Sequence, residues 1–197
     1  MREILFRGKR LDNGMWMEGY YMYHISRTPA PIGDSVKPED EHHLIIFDEF
    51  SDWNMPRGIK YVEVDASTVG QYTGKHIAER QATDDNAYKN MKRLWQDDLI
   101  AIYSIHYDGN DTPLRTRVAI VRVQWDDNYQ MLFAKCVQGS MHDIANECDI
   151  SYLYNDEDYP ITYWIEYMEN SNSLFWEWEI AGNIYDNPEW LGGEKCE

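Results

Sequence analysis

Cysteine is scarce in this chain, which argues against a disulfide scaffold. The 3 cysteines are Cys136, Cys148 and Cys196, and none forms a Cys-x-x-Cys pair of the kind found in zinc and redox sites. An odd number without that spacing favours a reducing compartment. Long apolar runs are also lacking: no stretch approaches the ~18 residues of a membrane helix, and the opening Met1–Phe6 has no apolar signal segment. These absences predict a soluble, cytoplasmic protein without a membrane partner.

Basic residues are few, since 18 Lys and Arg stand against 35 Asp and Glu, for a formal net charge of −17. A field of that sign repels phosphate backbones, so general nucleic-acid binding is disfavoured. The one short basic stretch, Arg7–Arg10, is better interpreted as a solvated strand end than as a binding patch.

Signatures of catalysis and of metal binding are lacking as well. No Ser-His-Asp or Cys-His arrangement and no glycine-rich phosphate loop occurs. The histidines show no ligand spacing, and the adjacent His42 and His43 should point to opposite faces of a strand. We therefore expect no cofactor and no metal, and we assign no catalytic residue.

Two pairs of carboxylates leave an alternative open. Asp97 and Asp98 precede the central strand, and Asp126 and Asp127 follow its neighbour, so the four could meet at one rim of a sheet. Clustered carboxylates bind divalent ions or transfer protons. In a chain with 35 Asp and Glu such pairs are common, so roles in turns and helix caps are favoured.

Aromatic residues, by contrast, are plentiful: 8 Trp, 15 Tyr and 5 Phe. Such residues favour strands and interfaces. With 197 residues, 43% of them hydrophobic, the chain can bury roughly 70% of its unfolded surface. It needs neither disulfides nor metal to fold, as one domain or two small ones.

The strongest strand signal is Arg117–Trp125, which alternates with a period of two. Ala119, Val121, Val123 and Trp125 fall on one face, and we predict Trp125 in the core. A preceding strand, Gln96–Tyr103, and a following one, Gln130–Lys135, are joined to it by turn residues. Three antiparallel strands of this kind form the middle of a small barrel or sheet.

Further elements follow from local patterns. Asn13-Gly14 predicts a β-hairpin between Glu3–Arg10 and Met15–Tyr23. Apolar spacing from Thr83 to Trp95 predicts an amphipathic helix, and Ser140 is expected to cap a short helix that ends near Cys148. Other strands are expected at the following positions: Leu44–Phe47, Lys60–Val64, Ile161–Glu166 and Leu174–Ile180.

Four blocks of the chain resemble the YopX family of small bacteriophage and prophage proteins. They are Met1–Lys9 with Gly14–Tyr21, the Val-Gly-Gln-Tyr-Thr-Gly box at Thr68–Gly74, Gln96–Ile100 with the later Trp125-Asp126, and the closing Ile180–Glu189. Together these blocks span almost the whole chain.

The resemblance implies a mostly β protein whose second half looks like a small SH3-like barrel, and a phage or prophage origin. It implies no activity and no catalytic residues. The sequence departs from the family in two places: Asp97 replaces a usual Gly, and the expected helix replaces a short Asn-Gly hairpin after Gly74.

The predicted fold is mainly β (α+β), with one or two short helices. We divide it into an N-terminal β region (1–75), a connector with the amphipathic helix (76–95), an SH3-like barrel region (96–190) and a disordered tail (191–197). The predicted barrel strands are Leu99–Tyr107, Arg117–Trp125, Gln130–Cys136, Ile161–Glu166 and Phe175–Gly182. Gly182 is expected to allow a bend or a close backbone approach.

Three functions are consistent with these observations. The favoured one is a non-enzymatic accessory protein that acts through protein contacts, alone or as a homo-oligomer. An alternative is an acidic decoy that imitates DNA and binds a host nucleic-acid-handling protein. A further alternative is an enzyme that uses the rim carboxylates. Nucleic-acid binding itself is not expected, because Arg117 and Arg122 should lie on opposite faces of their strand.

Overall fold

The computed structural model describes residues 3–27, 35–49, 58–80, 88–150, 153, 158–171 and 175–191. The strand pairs whose register is defined are antiparallel, and the predicted mainly β architecture is confirmed. The chain divides into two compact units, Met1–Tyr72 and Thr73–Glu197.

The first unit is a sheet with the order β5-β1-β2-β3-β4. Its strands are β1 (Phe6–Lys9), β2 (Trp16–Ile25), β3 (Glu41–Asp48), β4 (Ile59–Glu63) and the first residues of β5 (Gly70–Arg80). The predicted hairpin is confirmed as β1 and β2, with Gly14 at φ +70 in the turn. That conformation is inexpensive only for glycine and a few polar residues. Strands predicted at Leu44–Phe47 and Lys60–Val64 fall on β3 and β4.

The second unit is built on a sheet with the order β10-β9-β8-β7-β11-β5, and β6 also pairs with β5. Its further elements are β6 (Tyr88–Trp95), β7 (Asp98–Tyr107), β8 (Pro113–Asp126), β9 (Met131–Gln138), α1 (Met141–Glu147), β10 (Tyr159–Pro160), α2 (Ile161–Glu169) and β11 (Trp176–Asn183). The meander β7-β8-β9 is the expected central motif.

The core of the second unit lies on the face of this sheet that α1 and α2 cover. Three tryptophans fill it, Trp164 from α2 and Trp176 and Trp178 from β11, each at most 1% exposed. The Trp178 indole N–H donates to the Ala78 carbonyl oxygen at 2.8 Å, so this large apolar group is buried without an unpaired donor. Trp125 packs against the same cluster but is only partly buried.

The strand predicted at Ile161–Glu166 is wrong, because these residues begin helix α2. Ile161, Trp164, Ile165 and Met168 are all buried, and their spacing of three and four residues matches the 3.6-residue period of a helix. The predicted barrel is therefore absent as well, because one of its expected strands, Ile161–Glu166, is helical. The described strands form two antiparallel sheets and no closed barrel.

The helix predicted from Thr83 to Trp95 is also wrong where the chain is described, since Tyr88–Trp95 forms β6 and pairs with β5. The apolar spacing does not mark a buried stripe, because Met91 is 71% exposed while its neighbours Leu94 and Trp95 are buried. Pairing across the sheet overrides local helix propensity here. Residues 83–87 lie outside the described part.

The short helix predicted after Ser140 is confirmed as α1. The Ser140 hydroxyl accepts the N–H of Asp143 at 3.0 Å, and Cys148 is the C-terminal cap residue. A Ser at this position satisfies one of the N–H groups that a helix start leaves free. The predicted tail, apart from Leu191, lies outside the described residues.

Candidate functional site

The first carboxylate pair serves the turn between β6 and β7. Asp97 is buried with φ +68, the conformation that a glycine would adopt without strain. Its Oδ1 accepts the Arg122 Nε and Nη2 at 2.9 and 2.6 Å, and its Oδ2 accepts the Tyr185 hydroxyl at 3.1 Å. Asp98 Oδ2 accepts the N–H of Trp95 at 2.8 Å.

The second pair serves the turn between β8 and β9. Asp126 Oδ1 accepts the N–H groups of Asn128 and Tyr129, while its Oδ2 lies 3.2 Å from Lys135 Nζ. Burial alone would raise the pKa of Asp126, but Lys135 and the two N–H groups outweigh it and lower that pKa. Asp127 Oδ1 accepts the indole N–H of Trp125 at 3.1 Å. These carboxylates therefore act in turns and ion pairs.

Neighbouring histidines of β3 diverge as expected. His42 Nδ1 lies 2.7 Å from Glu63 Oε1, whereas His43 Nδ1 lies 2.6 Å from the Tyr21 hydroxyl. His24 is the cross-strand partner of His42, and their rings stack. Among the described residues, no group of three or more His, Cys, Asp or Glu side chains is arranged to hold a metal ion.

The arginines of β8 share one face, so the prediction that Arg117 and Arg122 lie on opposite faces is wrong. The register shifts at Val118, because Ile102 faces Ala119 but Tyr103 faces Arg117. Such a bulge adds one residue and reverses the alternation of side chains beyond it.

The guanidinium of Arg117 therefore lies over the Trp190 ring at 4.7 Å, and that of Arg115 over Tyr103 at 3.4 Å. Both rings pack against the same small cluster of Leu99, Ala101 and Ile120.

Most charges on this face are compensated. Arg115 contacts Glu177 Oε2 at 3.0 Å and Glu179 Oε1 at 3.3 Å. Lys135 lies between Asp126 and Asp158, at 3.2 and 3.3 Å. A protein that binds nucleic acid needs Lys or Arg side chains that are free to contact phosphates. The basic side chains of this face lie together, but because most are paired with carboxylates they offer little free positive charge.

The first unit carries an exposed apolar surface on one side of its sheet. We call it the aromatic face, and define it as Tyr20 and Met22 of β2 with Ile59 and Tyr61 of β4. Tyr20 is 60% exposed, Ile59 77% and Tyr61 68%. Direct pairing joins Tyr20 to Ile46 and Ile46 to Tyr61, so these side chains share one side of the sheet.

A groove of about 440 Å³ lies on the same side of the first unit's sheet. Beside Met22 and Tyr61 it is lined by His24, His42 and Glu63. In the sequence, this surface is indicated by apolar residues at both odd and even positions of Trp16–Tyr23. A strand with one solvated face needs apolar residues only at alternate positions.

A separate cleft of about 560 Å³ lies in the second unit, between the first half of β8 and helix α1. Within it, His106 Nε2 lies 3.2 Å from Ser104 Oγ and 3.5 Å from Glu147 Oε2. Ser104 and Glu147 therefore both contact Nε2 of His106. A catalytic triad instead needs the acid on the other nitrogen, so this grouping is not a hydrolase triad.

Comparison with protein-family models, curated proteins and solved structures found no match to this chain. The resemblance to the YopX family therefore stays a prediction from the sequence blocks. None of the described helices is long and apolar enough to cross a membrane.

Proposed function

We propose that the protein is a non-enzymatic accessory protein that acts through protein contacts at the aromatic face of the first unit. The observation that carries this proposal is the exposure of Tyr20, Ile59 and Tyr61 on one side of the same sheet. Clustered exposed apolar groups mark interaction sites in soluble proteins, and Tyr and Met are enriched at interfaces. Tyrosine also adds a hydroxyl that can hydrogen-bond at an interface rim.

The test compares proteins captured from a bacterial lysate by the wild type and by the double variant Ile59→Ser/Tyr61→Ser. A matched control, Tyr129→Ser/Tyr163→Ser, removes two exposed tyrosines of the second unit. Sedimentation analysis of the same samples shows whether a second copy of the chain is the partner. We expect only the Ile59→Ser/Tyr61→Ser variant to lose the captured proteins or the self-association. Equal capture by all three proteins contradicts it.

An acidic decoy is the second candidate, favoured by the large excess of Asp and Glu, most of which lies in the second unit. A decoy needs exposed carboxylates whose charge is free for a protein partner. Several carboxylates of the second unit, including Asp97, Glu177 and Asp126, are instead paired with Arg or Lys. Competition separates the two functions: a decoy displaces duplex DNA from a DNA-binding protein in a salt-sensitive manner.

The proposal keeps the YopX-like phage or prophage origin and a cytoplasmic location, which rest on the sequence blocks and the cysteine usage. An SH3-like fold of the second unit rests on the sequence blocks; the three-stranded meander β7-β8-β9 is compatible with it, but the described strands form no closed barrel. An enzyme at the rim carboxylates has less support, since all four act in turns or ion pairs.

A further inference from the structure

The cleft of the second unit runs along an open edge of β8. Strand β9 pairs with β8 only from Ile120 onward, where Ile120 faces Gln138. The chain then turns away at Gly139, with φ +70, into the cap of α1. The first half of β8 is thus paired with β7 on one side, and no described strand pairs with it on the other. The cleft is lined by Ser104, His106, Thr116, Val118, Gln138 and Glu147, among others.

Main-chain groups point into this open edge. Ile105 donates its N–H to the Phe175 carbonyl oxygen at 2.8 Å, away from β8. In antiparallel strands a residue directs its N–H and C=O to the same side. The pair of Ile105 with Arg115 is therefore not hydrogen-bonded, and Arg115 directs its own N–H and C=O away from β7. The same alternation applies to Arg117, two residues on. An exposed edge of this kind is a template for an added strand.

The wall of the cleft that helix α1 forms is negatively charged, which favours extended peptides that carry a basic side chain. Helix α1 places the carboxylates of Asp143 and Glu147 at the cleft, and both residues are exposed. Arg117 also lines the cleft, but its guanidinium lies over the Trp190 ring at 4.7 Å, on the side of the sheet that carries Tyr103. His106 Nε2 lies 3.5 Å from Glu147 Oε2.

We propose that the cleft binds an extended peptide segment that adds to the free edge of β8 and places a Lys or Arg side chain against Glu147 and Asp143. The volume of about 560 Å³ suits a short stretch of chain, since ligand sites typically span about 300–1,000 Å³. The site is separate from the aromatic face, so it goes beyond the proposed function, and either can fail alone.

The probe is an acetylated, amidated peptide Thr-Val-Lys-Val-Thr-Val, titrated into ¹⁵N-labelled full-length protein. The amide signals of Arg115 and Arg117 should shift and exchange more slowly with solvent, because they gain hydrogen-bond acceptors. Two peptides test the main-chain hydrogen bonds, one N-methylated at the odd positions and one at the even positions. The peptide whose methyl groups replace the N–H groups that face β8 should show no saturable binding. A Glu-for-Lys peptide tests the charge and should bind more weakly.

The variant Glu147→Gln should weaken binding of the Lys peptide about two- to five-fold, the range of a solvent-exposed ion pair. The matched control Glu166→Gln, on the exposed side of α2, should leave the affinity unchanged. Unchanged Arg115 and Arg117 amides overturn the proposal, as does equal affinity for the Lys and Glu peptides. Occupation of the edge by a second copy in the absence of peptide, seen by sedimentation, also overturns it.

Discussion

Replacement of Asp97 tests whether an ion pair or a backbone conformation holds the turn between β6 and β7. Its carboxylate is 4% exposed, and Arg122, its partner, is 25% exposed. Breaking a buried pair costs about 3–5 kcal/mol, and we reduce this to about 2–3 kcal/mol because water reaches Arg122. Alanine at φ +68 adds about 1 kcal/mol of backbone strain.

We therefore expect Asp97→Ala to lower the free energy of unfolding by about 3–4 kcal/mol. Asp97→Gly should cost about 1 kcal/mol less, since glycine adopts this conformation freely. Asp97→Asn should cost least, because an amide oxygen still accepts hydrogen bonds and asparagine tolerates positive φ. Urea unfolding followed by tryptophan fluorescence gives the order.

Asp111 provides the control for the backbone contribution. It also has positive φ, at +57, but it is exposed and has no ion pair in the described structure. Asp111→Ala and Asp111→Gly should differ by about 1 kcal/mol, with little further loss. If Asp97→Ala is as stable as Asp97→Gly, or if either lies within about 1 kcal/mol of the wild type, the reasoning on this turn is refuted.

Four further outcomes are expected. Trp164→Ala should cost about 3–5 kcal/mol in urea unfolding, and Trp125→Ala less, because Trp125 is only partly buried; equal losses would contradict the packing. The lowered pKa of Asp126 means that its stabilisation is present above about pH 4 and lost as pH falls below it; Asp126→Asn should flatten that part of a stability–pH curve. A 1–180 fragment should melt at lower temperature or without cooperativity, since it lacks the Tyr185 contact with Asp97. Fluorescence anisotropy should detect no affinity for duplex DNA or single-stranded RNA at physiological salt; micromolar, salt-sensitive binding would contradict the pairing of Arg115 and Lys135.

Strands and caps with purely local causes could be predicted from the sequence. The Asn13-Gly14 turn and the Ser140 cap use the chemistry of one or two residues, and the alternation of Ala119, Val121 and Val123 correctly gave the core face. Helix α2 could not be predicted from composition, because its Ile, Thr, Tyr and Trp residues favour strands, although Ile161, Trp164 and Ile165 recur at helical spacing.

Other features depend on distant partners. The strand character of β6 comes from its pairing with β5, which no local pattern contains. The bulge at Val118 exists only in the register between β7 and β8, so the facing of Arg117 could not be deduced from spacing. The aromatic face likewise required the pairing of β2, β3 and β4 to bring Tyr20 and Tyr61 to one side.

The position of β11 has a consequence for synthesis of the chain. It pairs with β7, and the Tyr103–Glu179 contact joins residues 76 apart in sequence. During translation, α1 and α2 are therefore synthesised before β11, the second strand that pairs with β7, is available. Slow, long-range strand pairing exposes unpaired edges to aggregation. Nascent chains stalled before Trp176 should be the species that chaperones retain.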